Sequence, residues 1–155
     1  MKVIKAPKKF YKDYETGGMH LFLAGSIEMG KAEDWQTRLT DALKQKRGVI
    51  LNPRRDDWNS DWKQEIDNEQ FRDQVEWELR ALEEADLVAV YFDHTTRSPI
   101  TLMELGLFAS KKRNMIVYCP KGFWRKGNVD IACRRYGMIN CTSWDDFVIE
   151  IKSRL

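Results

Sequence analysis

The sequence predicts an α/β domain built on a five-stranded parallel sheet with helices on both faces. Three observations point there. Short apolar runs recur along the chain, each closed by Gly, Pro or a polar residue. Segments with apolar residues at helical spacing separate those runs, and strands alternating with helices argue for a parallel sheet. The 155 residues are 43% hydrophobic and 32% charged, which suits one soluble domain with its own core.

Each element has its own signal. Residues 1–18 are polar and basic and end in Gly17-Gly18; they read as an N-terminal arm, with Lys2 to Lys12 as a solvated tail. Residues 19–155 form the domain. His20 to Ala24 is a buried first strand, stopped by Gly25-Ser26. Trp35, Leu39, Ala42 and Leu43 give a helix within 32–46. Val49-Ile50-Leu51 is a second strand, closed by Asn52-Pro53. Residues 54–67 are a long polar loop, of the kind that often serves as a lid. Phe71, Val75, Leu79 and Leu82 form the stripe of a helix over 68–84. The third strand is 85–92, and a helix follows over about 100–111. Met115 to Cys119 is a fourth strand, 121–136 an irregular basic loop, and 137–141 a fifth strand. Ser143 caps a final helix.

Composition excludes several classes. A net charge of +2 gives no reason to expect nucleic-acid binding. No apolar run is long enough to span a bilayer, and the N-terminus lacks the apolar core of a signal peptide. Cys119, Cys133 and Cys141 form no CxxC pair, so reduced thiols in the cytoplasm are expected. His20 and His94 lack metal-ligand spacing, so a zinc site is not expected, and the candidate chemistry described below requires no metal or redox cofactor.

The chemistry concentrates around 96–106. After the third strand, Thr96-Arg97-Ser98-Pro99 opens into a helix that carries Glu104 in phase with Ile100, Leu107 and Phe108. A carboxylate on an apolar stripe must meet a partner or serve a reaction, because burying it alone is costly. The carboxyl ends of parallel strands are also where ligands bind. The plain alternative is an acidic residue favoured near a helix N-terminus. Glu78 is the second candidate, aligned with Phe71, Val75 and Leu82; a rim position or an ion pair to Arg72, Arg80 or Arg97 competes with it. Two carboxylates in a partly dry site can split into an acid and a nucleophile. Gly25 and Ser26 can offer donors to an oxygen-rich ligand, although Gly25 and Gly30 make no GxGxxG pattern. Asn52 and Arg54 can present amide and guanidinium groups to a base or phosphate, or simply form a solvated turn. Trp58 and Trp62 can stack on a planar heterocycle or join the core.

Together these pieces resemble the nucleoside 2-deoxyribosyltransferase family and its nucleotide N-glycosidase relatives. The resemblance covers about residues 20–142. It rests on Leu21-Phe22-Leu23-Ala24-Gly25-Ser26-Ile27, Trp77-Glu78 before Ala85-Asp86, Ser98-Pro99-Ile100 through Glu104-Leu105-Gly106, and Gly127-Asn128-Val129. It implies a flavodoxin-like three-layer fold. It makes Glu104 the nucleophile at the anomeric carbon of a 2′-deoxyribonucleoside, and Glu78 the group that meets and protonates the base. It puts Ser98, Asp93 and Asn128 at the sugar hydroxyls and Phe22 where the family has the residue that orients the nucleophile, and it lends Asn128 to a neighbouring subunit, so a homo-oligomer is implied. The expected partners are a nucleoside or nucleotide and a free base. Phe22 replaces a usual first-strand Tyr; either Tyr91 or a residue of the 54–67 loop takes over its role, or activity is weaker. Ser98 stands where many transferases have Asp and resembles the hydrolases of nucleoside 5′-monophosphates. The expectation is a deoxyribosyltransferase working through a glycosyl-Glu104 intermediate. The alternatives are a monophosphate N-glycosidase, with Ser98, Ser26 and Arg54-Arg55 near the phosphate, and a non-catalytic nucleotide-binding module.

Overall fold

The computed structural model describes residues 1–10, 18–27, 32–59, 61–111 and 114–155. Part of the N-terminal arm, Gly30 and one residue of the 54–67 loop lie outside the described residues. The elements run β1 (Lys2–Lys5), β2 (His20–Gly25), α1 (Trp35–Ala42), β3 (Val49–Asn52), α2 (Glu69–Glu84), β4 (Leu87–Tyr91), α3 (Pro99–Ala109), β5 (Met115–Tyr118), α4 (Lys126–Tyr136), β6 (Ile139–Cys141) and α5 (Trp144–Lys152).

The strands form one sheet in the order β1-β3-β2-β4-β5-β6, with every pair parallel. The α/β class and the three-layer arrangement hold. The strand count does not: the described residues form six strands, because Lys2–Lys5 pairs with β3 in the register Lys2↔Val49 to Lys5↔Asn52. Within the stretch expected to be a solvated tail, Lys2–Lys5 is therefore an edge strand, flanked by lysines that suit an edge. Ala6 and Phe10 just after it are buried.

A second correction concerns 121–136. Val129 and Cys133 lie four residues apart and are both buried, and they seat α4 against the sheet. Gly137, at φ +69°, ends the helix by donating its N–H to the Cys133 carbonyl.

Strand alternation divides the core. Leu21, Leu23, Leu87, Ala89 and Tyr91 face α1 and α5, packing with Trp35, Leu39, Phe147 and Ile151. Phe22, Ala24, Val88, Val90 and Phe92 face α2, α3 and α4, packing with Trp77, Ala81, Leu82, Leu105, Phe108 and Val129. From β2 the chain steps first to β3 on one side and then back across to β4 on the other. The topological switch point therefore lies between β2 and β4, and their carboxyl ends frame the crevice favoured for ligands. Gly25 is required at that edge: a Cβ there would lie 2.5 Å from the Tyr91 carbonyl oxygen and 2.8 Å from the Trp35 ring.

Candidate active site

Glu104 sits in the middle of α3 and is buried, with 6% of its surface exposed. The sequence had placed it in phase with Ile100 and Leu107, but those two are exposed, at 56% and 49%. Glu104 shares its inward face with Thr101, Leu105 and Phe108. The uniformly apolar helix misled the phase: Ile100, Met103 and Leu107 occupy its outer face. Among the described residues, no hydrogen bond or ion pair reaches the Glu104 carboxyl group. Burial, with the charge of Glu78 adding to it, pushes this group up to about 8.

Glu78 lies on α2, which packs over the same face of the sheet. Its surface is only partly covered, yet enough protein surrounds it to raise its carboxyl group to about 7. A hydrogen bond from Gln74 Nε2 to Glu78 Oε1 (2.7 Å) opposes that rise. No cation pairs with Glu78 among the described residues; Arg80 is bonded to Glu84 and Arg72 to the Ile66 carbonyl. The two carboxyl groups titrate as a coupled pair, each charge disfavouring the other. The result is a buried acid and a partly covered one whose charges are felt by each other, both raised toward neutral pH.

Gln74 was missed from sequence. The stripe read as Phe71, Val75, Leu79 and Leu82 is rotated; the buried residues of α2 are Gln74, Trp77, Ala81 and Leu82. The signal that would have found Gln74 is its spacing of four from Glu78, which puts both on one face.

At the switch point, Ser26, Thr96 and Ser98 join in a buried hydroxyl cluster. Ser26 Oγ and Ser98 Oγ are 2.5 Å apart, Thr96 Oγ1 and Ser98 Oγ 2.8 Å, and Thr96 Oγ1 donates to Ser26 Oγ at 3.1 Å. The Asp93 N–H also donates to Ser26 Oγ. Ser98 adopts a left-handed conformation (φ +48°), which turns its side chain into this cluster. It therefore makes no side-chain cap to α3. The Asp93 carboxylate accepts from the Thr95 N–H (2.8 Å), the Thr95 hydroxyl (2.7 Å) and the Glu33 N–H (3.3 Å). Burial works against its charge, but these bonds outweigh that and hold it below the usual carboxylate range. Asp93 thus organises the loop that leads into α3.

The remaining candidates are placed as follows. Phe22 is fully buried in β2 and packs against Trp77, with ring centroids 6.3 Å apart. Tyr91 does not replace the missing strand Tyr: it points to the opposite face, stacks between Trp35 and Tyr118, and donates to Glu33 Oε1. Asn52 is buried and its Oδ1 accepts from the Arg54 N–H. Arg54 reaches Gln36 and Asp34. Trp58 and Trp62 meet edge to face at 5.2 Å, with Arg55 over Trp62. Asn128 is exposed in the first turn of α4. The three cysteines are buried, and burial pushes their thiols up to about 12, 11 and 11, so they stay protonated.

A family model described as nucleoside 2-deoxyribosyltransferase like matches residues 18–123. The chain belongs to the nucleoside 2-deoxyribosyltransferase-like family. The matched span holds Phe22, Glu78, Ser98 and Glu104, and stops short of Asn128. The crystal structure of a conserved protein from Enterococcus faecalis V583 has a similar fold, with a TM-score of 0.64 over 88% of this chain and 99% of that one. The two share 14% sequence identity, so the likeness is of the fold. No curated protein matches the chain. Members of this family generally act as enzymes on glycosyl bonds. No helix among the described residues is long and apolar enough to cross a membrane.

Proposed function

We propose that this protein is a nucleoside 2′-deoxyribosyltransferase that exchanges bases through a covalent deoxyribosyl-Glu104 intermediate. The observation that carries this reading is the pairing of buried Glu104 with Glu78, two raised carboxyl groups with no cation beside either among the described residues. Cleavage of an N-glycosidic bond builds positive charge on the sugar. That charge stabilises an ionised Glu104, whose oxygen attacks C1′ as the bond to the base breaks. Glu78 gives its proton to a nitrogen of the leaving base. The productive form is the singly protonated pair with its proton on Glu78, and a bound sugar that develops positive charge beside Glu104 favours that arrangement. A second base then attacks C1′, returns its proton to Glu78 and frees Glu104.

The test is incubation with a deoxynucleoside and a different acceptor base. The exchanged nucleoside is expected, and a 2-fluoro-deoxynucleoside should leave a sugar adduct on Glu104 visible by mass spectrometry. Free base and sugar alone would end the transferase reading.

A second reading, hydrolysis of a nucleoside 5′-monophosphate, is favoured by one feature. With Ser98 turned into the hydroxyl cluster, the first N–H groups of α3 have no side-chain cap, and a helix N-terminus of that kind attracts phosphate. Reaction of the monophosphate alone, yielding base and sugar phosphate, would decide for it. A homo-oligomer in which Asn128 reaches a neighbouring site accompanies either reading. Binding without turnover of either substrate would leave a nucleotide-binding module.

A further inference from the structure

Gln74 is nearly fully buried, with 4% of its surface exposed, on the part of α2 that faces the sheet. Its amide nitrogen donates twice: to the Pro53 carbonyl at 2.9 Å and to Glu78 Oε1 at 2.7 Å. Pro53 follows directly on β3, so this side chain ties Glu78 to the carboxyl edge of the sheet. The amide orientation is settled by chemistry, because a carbonyl only accepts and so must face the NH₂ and not the amide oxygen. The same nitrogen then faces Glu78 Oε1, which must accept as well. When Glu78 is neutral, its carbonyl oxygen is the better acceptor for that N–H, so the proton is favoured on Oε2.

Packing does not account for Gln74. Among the described residues its buried amide oxygen has no hydrogen-bond partner, which carries a desolvation penalty. The neighbours on its face, Trp77, Ala81 and Leu82, are apolar, and an apolar side chain would fill the position without that penalty. We infer that Gln74 is a positioning residue for the acid: it fixes the Glu78 carboxyl group and directs its proton through Oε2 toward the leaving base. This rests on the reading of Glu78 as the proton donor.

The experiment compares Gln74→Met and Glu78→Gln with the parent on two substrates. One is the ordinary nucleoside or monophosphate that the protein turns over. The other is its 7-methylguanine counterpart, whose cationic base departs without being protonated. Gln74→Met is expected to lose on the order of 10-fold in kcat on the ordinary substrate, the worth of one hydrogen bond to the acid. It should stay within about 3-fold of the parent on the 7-methylguanine substrate, whose reaction bypasses the acid. Its high-pH limb should move upward, because a donor hydrogen bond favours the ionised carboxyl group and its removal raises Glu78 further. Equal loss on both substrates would reduce Gln74 to a packing role and overturn the proposal, as would parental kcat with an unmoved limb. Glu78→Gln separates the two failures. If it matches the parent on the ordinary substrate, the acid role of Glu78 itself is wrong and the inference falls with it. If it loses activity on that substrate alone, the acid role stands and Gln74 is judged on its own result.

Discussion

On the α1–α5 face of the sheet, Trp35, Tyr91 and Tyr118 stack in series with ring centroids 4.9 and 4.8 Å apart, above fully buried Leu39, Phe147 and Ile151. The polar end of Tyr91 has an acceptor in Glu33. The α2–α3–α4 face has an apolar core of similar make, from Phe22 to Val129, but sets Gln74, Glu78 and Glu104 into it. Both helical layers leave buried polar atoms without partners among the described residues, Gln36 Nε2 and Thr40 Oγ1 on α1 and Gln74 Oε1 on α2, so what separates the faces is the two raised acids. One face follows the packing and pairing rules throughout its aromatic stack. The other keeps two acids in places where apolar side chains would serve the fold better, and such violations concentrate at functional sites.

The contrast breaks most sharply at Glu104. Glu104→Gln preserves shape and volume while removing the nucleophile, so turnover should fall by about 10⁴-fold or more, with the fold intact by circular dichroism. Full activity in that variant would remove Glu104 from the mechanism. Glu78→Gln should cost about 10²- to 10⁴-fold on an ordinary leaving base, the usual share of a general acid. In the parent, the pH profile should be bell-shaped near neutrality, with limbs that belong to the pair. Each single variant should erase one limb, measured as kcat against pH.

The opposite face should respond in the opposite currency. Leu39 is fully buried in α1, and Leu39→Ala should cost about 2–5 kcal/mol in urea unfolding. Its kcat per folded molecule should match the parent. A loss of kcat without a loss of stability would mean that the α1 face takes part in the site, and the division between the faces would fail.

How much of this was legible in sequence follows the same division. β2, β3, β4 and β5 were readable because buried parallel strands show as continuous apolar runs, and the cap at Ser143 marks a helix start. Lys2–Lys5 was not, because an edge strand needs one backbone partner and leaves its lysines in solvent. The α4 helix was hidden by Gly127 and its charges, since only Val129 and Cys133 carry its buried face. Glu104 was found, although for a partly wrong reason: α3 is apolar all round, so periodicity could not say which side faces in. Gln74 was invisible because a polar residue on a helix reads as solvent-facing until the rotation of the helix is known. Tyr91 alternates correctly along β4, and counting from Phe22 through their register neighbours would have put it on the wrong face for Glu104.

Stability should also depend on pH, with a sign that distinguishes a dry Glu104 from a solvated one. A carboxyl group raised from 4.5 to about 8 keeps its proton in the folded chain after the unfolded chain has lost it. Between those values the folded state binds more protons, so stability falls as pH rises. The contribution is fully present below about 4.5 and is lost as pH climbs through 8. Glutamine cannot ionise, so Glu104→Gln escapes this loss. Parent and variant should melt together near pH 4, and the variant should melt higher with each step toward pH 8. The gap should open by up to about 1.4 kcal/mol per pH unit, or ~2–4 °C for each kcal/mol in a chain of this size. A gap that stays constant across that range would mean that water reaches the Glu104 carboxylate freely, and the face would then hold a surface acid in place of a buried nucleophile.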